Sequence, residues 1–575
     1  MTIHEDGLTR RTFLAGAGAL VASTVAQPAW APGSGSSLGH WFDDGFGLPA
    51  YRYTGPLRFP DSPRYEGAPM LPDDPVFLLG NYRLTLFTHA SGLYQLVSGE
   101  RAWGRLNQGD KPWSGASQAT VEIGDKVYKL IGLDEPVAMA AEKCFGVGFG
   151  RYRYALGTDV TVERLLSVLP STKTGDGASA FLVQVRLRNN SAAPRTIRYA
   201  ESVYARYRQL FADWSPDRTE VAYLANEPMQ MSQNMLQVGF TVKPKRLMDF
   251  PPAGQMSRLE QFPPSLFVKL ITDHVLPYAT QEGPGFSSIG ARFDTTLLSG
   301  EQREFAFVVG YTRDATAPAI DALAARLQPV PSMADAPGSA FGAEWQKVLP
   351  AFANEKDPEL RREMRWNAAV LEQMATWREY YNETVIPQGT VYDYVWGMMA
   401  SSRDLAQQAL PLCHTNPALA RSTLRFLLKR MVPDGEIKLN DSGFGWSPSG
   451  AQQTSDQQLY FFLLLAEYLR ATGDAKVLSD TIEYYPRDCS GKDTGLAHVR
   501  QAFLYLRDRV GVGAHGIVRR WNSDWNDMFF WWPQAGAYNN LFESGESHMN
   551  SAMAIVILGD LAQAIDAATF QGLTS

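Results

Sequence analysis

The chain has 575 residues, 45% of them hydrophobic and 20% charged, which is enough for two or more hydrophobic cores. Its net charge of −7 argues against a nucleic-acid partner, because a phosphate backbone needs a basic face. The three cysteines, Cys144, Cys413 and Cys489, are odd in number and far apart, and the eight histidines form no two-His motif, so neither a disulfide framework nor a metal site is expected. The 14 Trp and 24 Tyr suit stacking on sugars, but most are expected to fill cores.

Residues 1–31 read as an export signal. Arg10-Arg11 precede a weakly apolar, Gly- and Ala-rich run, Ala15 to Ala26, in the manner of a twin-arginine leader. The run is too short to span a bilayer, and no later segment reads as a transmembrane helix, so the mature chain is expected to be periplasmic or secreted without membrane insertion.

From about 45 to 312 the apolar pattern has period two, within a carbohydrate-binding-like domain bounded at 32–312. Val183, Val185 and Leu187 alternate with Gln184, Arg186 and Arg188 before a turn at Asn189-Asn190-Ser191. Gly124-Asp125 between Val121-Glu122-Ile123 and Val127-Tyr128-Lys129 predicts a tight hairpin. Many strands separated by turns imply a large antiparallel sandwich. Residues 313–354, rich in Ala and Pro, read as a linker carrying one or two helices.

From 355 to 575 the period becomes helical. Asp357-Pro358 and Asn416-Pro417 are N-cap signals, Ser455-Asp456-Gln457-Gln458 is a capping box, and Gly473 closes the helix that follows. Thr494 to Val510 and His548 to Phe570 are further helices. The last is apolar on more than one face, with Ile555, Val556, Ile557 and Leu558 consecutive. The fold class is thus α+β and multidomain: an antiparallel β sandwich followed by a helical-hairpin barrel, with polar, aromatic loops lining a pocket.

Those loops carry the chemistry-bearing residues. Tyr392-Asp393-Tyr394-Val395-Trp396 precedes Arg403-Asp404 at a helix start, a pair that suits sugar hydroxyls or an oxyanion but equally a helix-capping ion pair. Pro433-Asp434-Gly435-Glu436-Ile437 is a turn. His515-Gly516-Ile517 leads to Ser523-Asp524-Trp525-Asn526-Asp527, where two carboxylates surround an indole and an amide. An aromatic face packs on a pyranose, an amide binds hydroxyls, and a carboxyl protonates a leaving oxygen. Glu543-Ser544-Gly545-Glu546-Ser547 is a turn before the last helix.

Singly these motifs are weak, but their order resembles the family 94 glycoside phosphorylases, a group that includes cellobiose and chitobiose phosphorylases and part of cyclic β-1,2-glucan synthase. The likeness runs from about residue 75 to the end and is most specific in the helical half. In the sandwich it rests on Gly80-Asn81-Tyr82, Ala90-Ser91-Gly92-Leu93-Tyr94, Val162-Glu163-Arg164 and Arg186 to Ser191. The resemblance implies a β super-sandwich and an (α/α)6-type barrel. It implies Asp527 as general acid, with Arg403, Asp404, Trp525, Asn526, Asp524 and Glu546 around the sugar. The substrate would be an oligosaccharide or glucan, cleaved with inversion by phosphate or water. No cofactor is implied, only inorganic phosphate as co-substrate, and family members form homodimers.

Two departures stand out. Asp527 is followed by Met528-Phe529-Phe530-Trp531-Trp532, an unusually apolar acceptor side. The sequence ends at Ser575, whereas family members continue with more barrel helices and their phosphate-holding histidine. A truncated, incomplete barrel of low activity is therefore one expectation, and a non-catalytic glycan-binding protein on a degenerate scaffold is the alternative.

Overall fold

The computed structural model describes residues 38–55, 57, 76–98, 104–109, 115–210, 220–221, 228–240, 264–281, 287–328, 331–333, 338–387, 400–441, 445, 447, 453–488, 490–521, 523–526 and 542–574. The export signal, Tyr392–Trp396, Cys489 and Asp527–Trp532 lie outside them. The protein combines helices with large antiparallel sheets.

Among the described residues the first half holds three sheets, of ten, five and six strands. The centre of the largest is strand Ala180–Asn189, paired with Val160–Ser167 on one side and Gln302–Thr312 on the other. Alternation sends Val183, Val185 and Leu187 into a core shared with Leu86 and Leu96 of the six-stranded sheet and Val121 and Ile197 of the five-stranded one. That is sheet-on-sheet packing. The predicted hairpin forms, with Ile123 opposite Lys126. Gly124 takes a φ of 59° at the first turn position, a conformation that favours glycine.

The polar side of the same strand departs from the simplest expectation. Gln184 and Arg186 are buried too. Gln184 Nε2 donates to the carbonyl of Pro331 at 2.7 Å, and Arg186 Nε donates to Glu304 at 2.9 Å. Glu304 also accepts from Ser332 and from the Met333 amide. Residues 331–333 therefore cover a face that alternation alone assigns to water. Further along, helices α1 (Ala317–Ala325) and α2 (Gly342–Val348) bury Ile320, Ala324 and Trp345 against Ala180, Leu182 and Val308.

In the second half, α3 (Pro358–Met374) is capped as expected, the Asp357 carboxylate accepting from the amides of Glu359 and Leu360. Helix α5 (Pro417–Lys429) is capped by Asn416. Helix α6 (Gln457–Thr472) is buried on almost every side and ends at Gly473, whose φ is 67°. It packs with α4 (Ser402–Ala409), α5 and α8 (His548–Thr574) in one core. Between them lies α7 (Gly495–Leu504), continued by a π-helical turn, Tyr505–Val510.

Helix α8 has the two-sided apolar character its sequence announces. Ile557, Leu561, Ala564 and Ala568 are buried in this core, whereas Ile555 is 80% exposed and Val556 46%. The expectation that no later segment reaches membrane-spanning length needs correction, because His548–Ala568 is long and apolar enough by length and composition. Here its inward face packs against a protein core.

The halves are joined by a buried polar lock. Tyr82 of the sandwich donates to the Glu372 carboxylate at 2.5 Å, and Asn416 Nδ2 donates to both, at 3.0 and 2.8 Å. The Trp377 amide donates to the Tyr82 carbonyl. Burial pushes the Glu372 carboxyl above its ordinary range, although the Tyr82 and Asn416 hydrogen bonds pull the other way.

Candidate active site

Three helix starts meet around one buried ring of polar groups. Arg403, in the first turn of α4, donates through Nη1 to the Asp456 carboxylate at 3.2 Å and to the Asp524 carbonyl at 2.9 Å. Asp456 is the N-cap residue of α6 and is fully buried. Ser547, just before α8, donates to Asp524 Oδ2 at 2.8 Å and accepts from the Asn550 amide. Asn550 Nδ2 reaches Ser455 Oγ at 3.0 Å, and the Ser455 amide donates to the Ser523 carbonyl, which closes the ring. Amide groups at helix starts carry partial positive charge, so the arrangement favours oxygen-rich or anionic ligands nearby.

The capping-box expectation is corrected here. The Asp456 side chain makes no capping hydrogen bond to its own helix and pairs with Arg403 instead. Ser455 turns to the Ser523 carbonyl. A charge-assisted bond to a buried guanidinium is stronger than a neutral one to an amide, so the carboxylate goes to the arginine. Tyr460, one turn into α6, lies in the same field: burial first, then Asp456, push its hydroxyl far above the ordinary phenol range.

Asp524 holds the loop that follows it. Its Oδ1 accepts from the Asn526 amide at 3.0 Å and lies 3.1 Å from Arg520 Nη2, while Arg520 also donates to the Asn526 carbonyl at 2.5 Å. Trp521, with a φ of 54°, lies just upstream, and Thr454 bridges to it and to Ser523. The outcome is a tied turn with Trp525 at its tip, 57% exposed, and Asn526 exposed beside it. An indole held out by an anchored backbone is a platform for a sugar face. Asp527, the residue expected to protonate the leaving oxygen, comes next and lies outside the described residues.

Residues 367–569 match the family model described as "Glycosyl hydrolase 94 superfamily, catalytic domain". The helical half is glycosyl hydrolase 94-like. The chain is 24% identical to N,N'-diacetylchitobiose phosphorylase of Vibrio proteolyticus, over 45% of this chain and 35% of that protein. It is 29% identical to solabiose phosphorylase of Paenibacillus borealis, over 22% of this chain and 15% of that one. It thus spans well under half the length of these relatives. A solved structure from the human microbiome, provisionally described as a kojibiose phosphorylase, aligns with 86% of this chain and 67% of its own, at 10% identity and a TM-score of 0.49.

The matched segment also holds the other expected residues. Asp404 is half-buried beside Arg403. The Pro433–Ile437 turn abuts the start of α6, where Gln458 Nε2 donates to the Gly435 carbonyl at 3.1 Å. Glu546 faces the His515 turn, its carboxylate accepting from the His515 amide at 3.0 Å and lying 2.8 Å from Nδ1. The amide and then the imidazole hold that carboxyl below its ordinary range. A Cβ on Gly513 would stand 2.0 Å from Glu546 Oε1, so glycine lets the turn close on it. Among the described residues no group of three His, Cys, Asp or Glu could hold a metal ion. The sequence motifs did not reach Tyr460, Arg520 or Asn550; Asp456 and Ser547 lay within motifs, but read as part of a capping box and of a turn.

Proposed function

We propose that this protein is an inverting glycoside phosphorylase acting on β-linked oligosaccharides. The observation that carries the reading is the buried Arg403–Asp456–Asp524–Ser547 ring beside the exposed Trp525, inside the segment that matches the family's catalytic domain. Trp525 packs on the sugar, and Arg403 and Asp404 orient its hydroxyls. Asp524 acts through the loop it holds, with both oxygens engaged. Asp527 protonates the glycosidic oxygen as that bond to the anomeric carbon breaks. An oxygen of inorganic phosphate attacks from the opposite face, so the products are a sugar 1-phosphate of inverted configuration and the shortened saccharide. We read the helices as part of a six-hairpin barrel.

The test is incubation with β-linked gluco- and chito-oligosaccharides, with and without phosphate. Phosphate-dependent sugar 1-phosphate is the expected product. Reducing sugar released without phosphate would make the protein a hydrolase, and retention of glycan without turnover would make it a binding protein. We also propose twin-arginine export of the folded chain. Replacing Arg10 and Arg11 by Lys keeps the charge but loses the guanidinium geometry, and should strand the protein in the cytoplasm. Unchanged delivery would refute that assignment.

A further inference from the structure

A cavity of about 780 Å³ opens at the seam between the sandwich and the helical half, away from the Asp524 ring. Its size falls in the range that holds small organic ligands, roughly 300–1,000 Å³. One wall is the loop at Gly175 and Gly177 together with Trp377 of the helical half, whose ring packs against Gly175, and α1 forms another side. The Gly175 amide donates to Thr384 Oγ1 at 2.9 Å and its carbonyl accepts from Arg83 Nη2 at 2.8 Å, so the loop is tied to both halves. The half-buried Trp377 indole has the Arg83 guanidinium 4.5 Å from its ring centre.

The lining is charged but balanced. Arg83, Arg313 and Arg326 face Asp176, Asp314 and Glu379. Arg313 pairs with Glu379, and Arg326 pairs with Asp176 at 2.8 Å. The Asp176 carboxyl is pushed up by burial, but the Gly177 amide and Arg326 outweigh this and hold it below the ordinary range. These paired side chains are 28% to 46% exposed, so part of each is reached by solvent. An anion would meet as many carboxylates as guanidiniums. A neutral polyol would meet donors and acceptors side by side, with the indole edge and Tyr311 for its apolar faces.

We infer that this seam cavity is a second saccharide site, one that holds a neutral oligosaccharide without cleaving it. It needs nothing from the proposed phosphorylase chemistry, and a ligand there would touch both halves at once.

The test is calorimetric titration of the full chain with cellotriose and chitotriose, and with trigalacturonate as an anionic control of the same length. Trp525→Ala serves as the background, because it removes the platform proposed at the catalytic site. Saturable binding of a neutral trisaccharide should persist in that background. It should weaken about tenfold or more in Trp377→Ala, as loss of an aromatic sugar contact implies. Ala322, an exposed residue of α1 on the cavity wall, gives a variant that leaves the core alone: Ala322→Phe should block binding with an unchanged melting temperature. The inference is overturned if neither neutral trisaccharide binds, or if binding vanishes with Trp525→Ala. It is equally overturned if both cavity variants bind like their parent, or if trigalacturonate binds as well as the neutral sugars.

Discussion

Each half of the molecule buries an arginine against a carboxylate, and the two pairs differ in everything around them. In the sandwich, Arg164 grips Glu201 through Nε at 3.0 and 2.9 Å and through Nη2 at 2.6 Å. Tyr199 donates to the same carboxylate, and the rings of Tyr94 and Tyr152 flank the guanidinium at 5.7 Å. Nothing there reaches water. In the helical half, Arg403 and Asp456 sit where helices begin, one hydrogen bond from the turn that carries an exposed indole. A buried ion pair is therefore no marker of a site. Its position at helix starts, beside a solvent-facing aromatic, is what supports the chemical use proposed for the second pair.

The largest expected effect belongs to the helical half. Asp527→Asn should slow cleavage of a natural disaccharide by about 10²–10⁴-fold and affect activated leaving groups less, as loss of a general acid requires. Wild-type rates on the natural substrate would move the acid elsewhere. Next comes the sandwich pair. Glu201→Ala leaves a buried guanidinium without its carboxylate and should cost about 3–5 kcal/mol in denaturant unfolding. Replacing both partners with apolar residues, Arg164→Met with Glu201→Leu, should recover most of that loss. If the double variant is as unstable as the single one, the pair is doing more than holding itself together.

A smaller effect is expected at Asp456. Asp456→Asn keeps the shape and weakens the hold on Arg403, which should raise KM and cost about 1.5–3 kcal/mol in kcat/KM, the range for a hydrogen bond to a charged group. Unchanged kinetics with an unchanged fold would reduce Asp456 to a structural residue. The smallest effect concerns the seam. Because burial raises the folded pKa of Glu372 above its unfolded value, its contribution to stability is full below the ordinary carboxylate range and is lost as pH rises through the folded value. Relative to Glu372→Gln, the wild type should therefore lose stability as pH rises above about 4, the range of an unfolded glutamate. Parallel melting curves across that rise would contradict the buried lock.

Local rules survived wherever the partner was close in the chain. Asp357 and Asn416 cap the helices their sequences announce, Gly473 ends α6, and Gly124-Asp125 turns a hairpin. Each depends on atoms within a few residues, so the sequence pattern carries all the needed information. The same rules failed where a distant group competed. Ser455-Asp456 reads identically whether the carboxylate bonds its own helix or a guanidinium 53 residues away, and the stronger electrostatic partner won. Gln184 and Arg186 alternate with the core residues, yet residues 331–333 come back to cover them.

The sequence by itself determined the switch from period two to helical period, the caps of α3 and α5, the end of α6 and an order of motifs that resembles the family 94 glycoside phosphorylases. Those follow from side-chain spacing and short-range hydrogen bonding, which need no knowledge of the rest of the chain. Only the tertiary structure decided that Asp456 belongs with Arg403, that Asp524 holds the Trp525 turn, and that Tyr82, Glu372 and Asn416 join the two halves. Those contacts depend on which surfaces packing brings together and on which competing partner wins once water is excluded, and no short stretch of sequence encodes either.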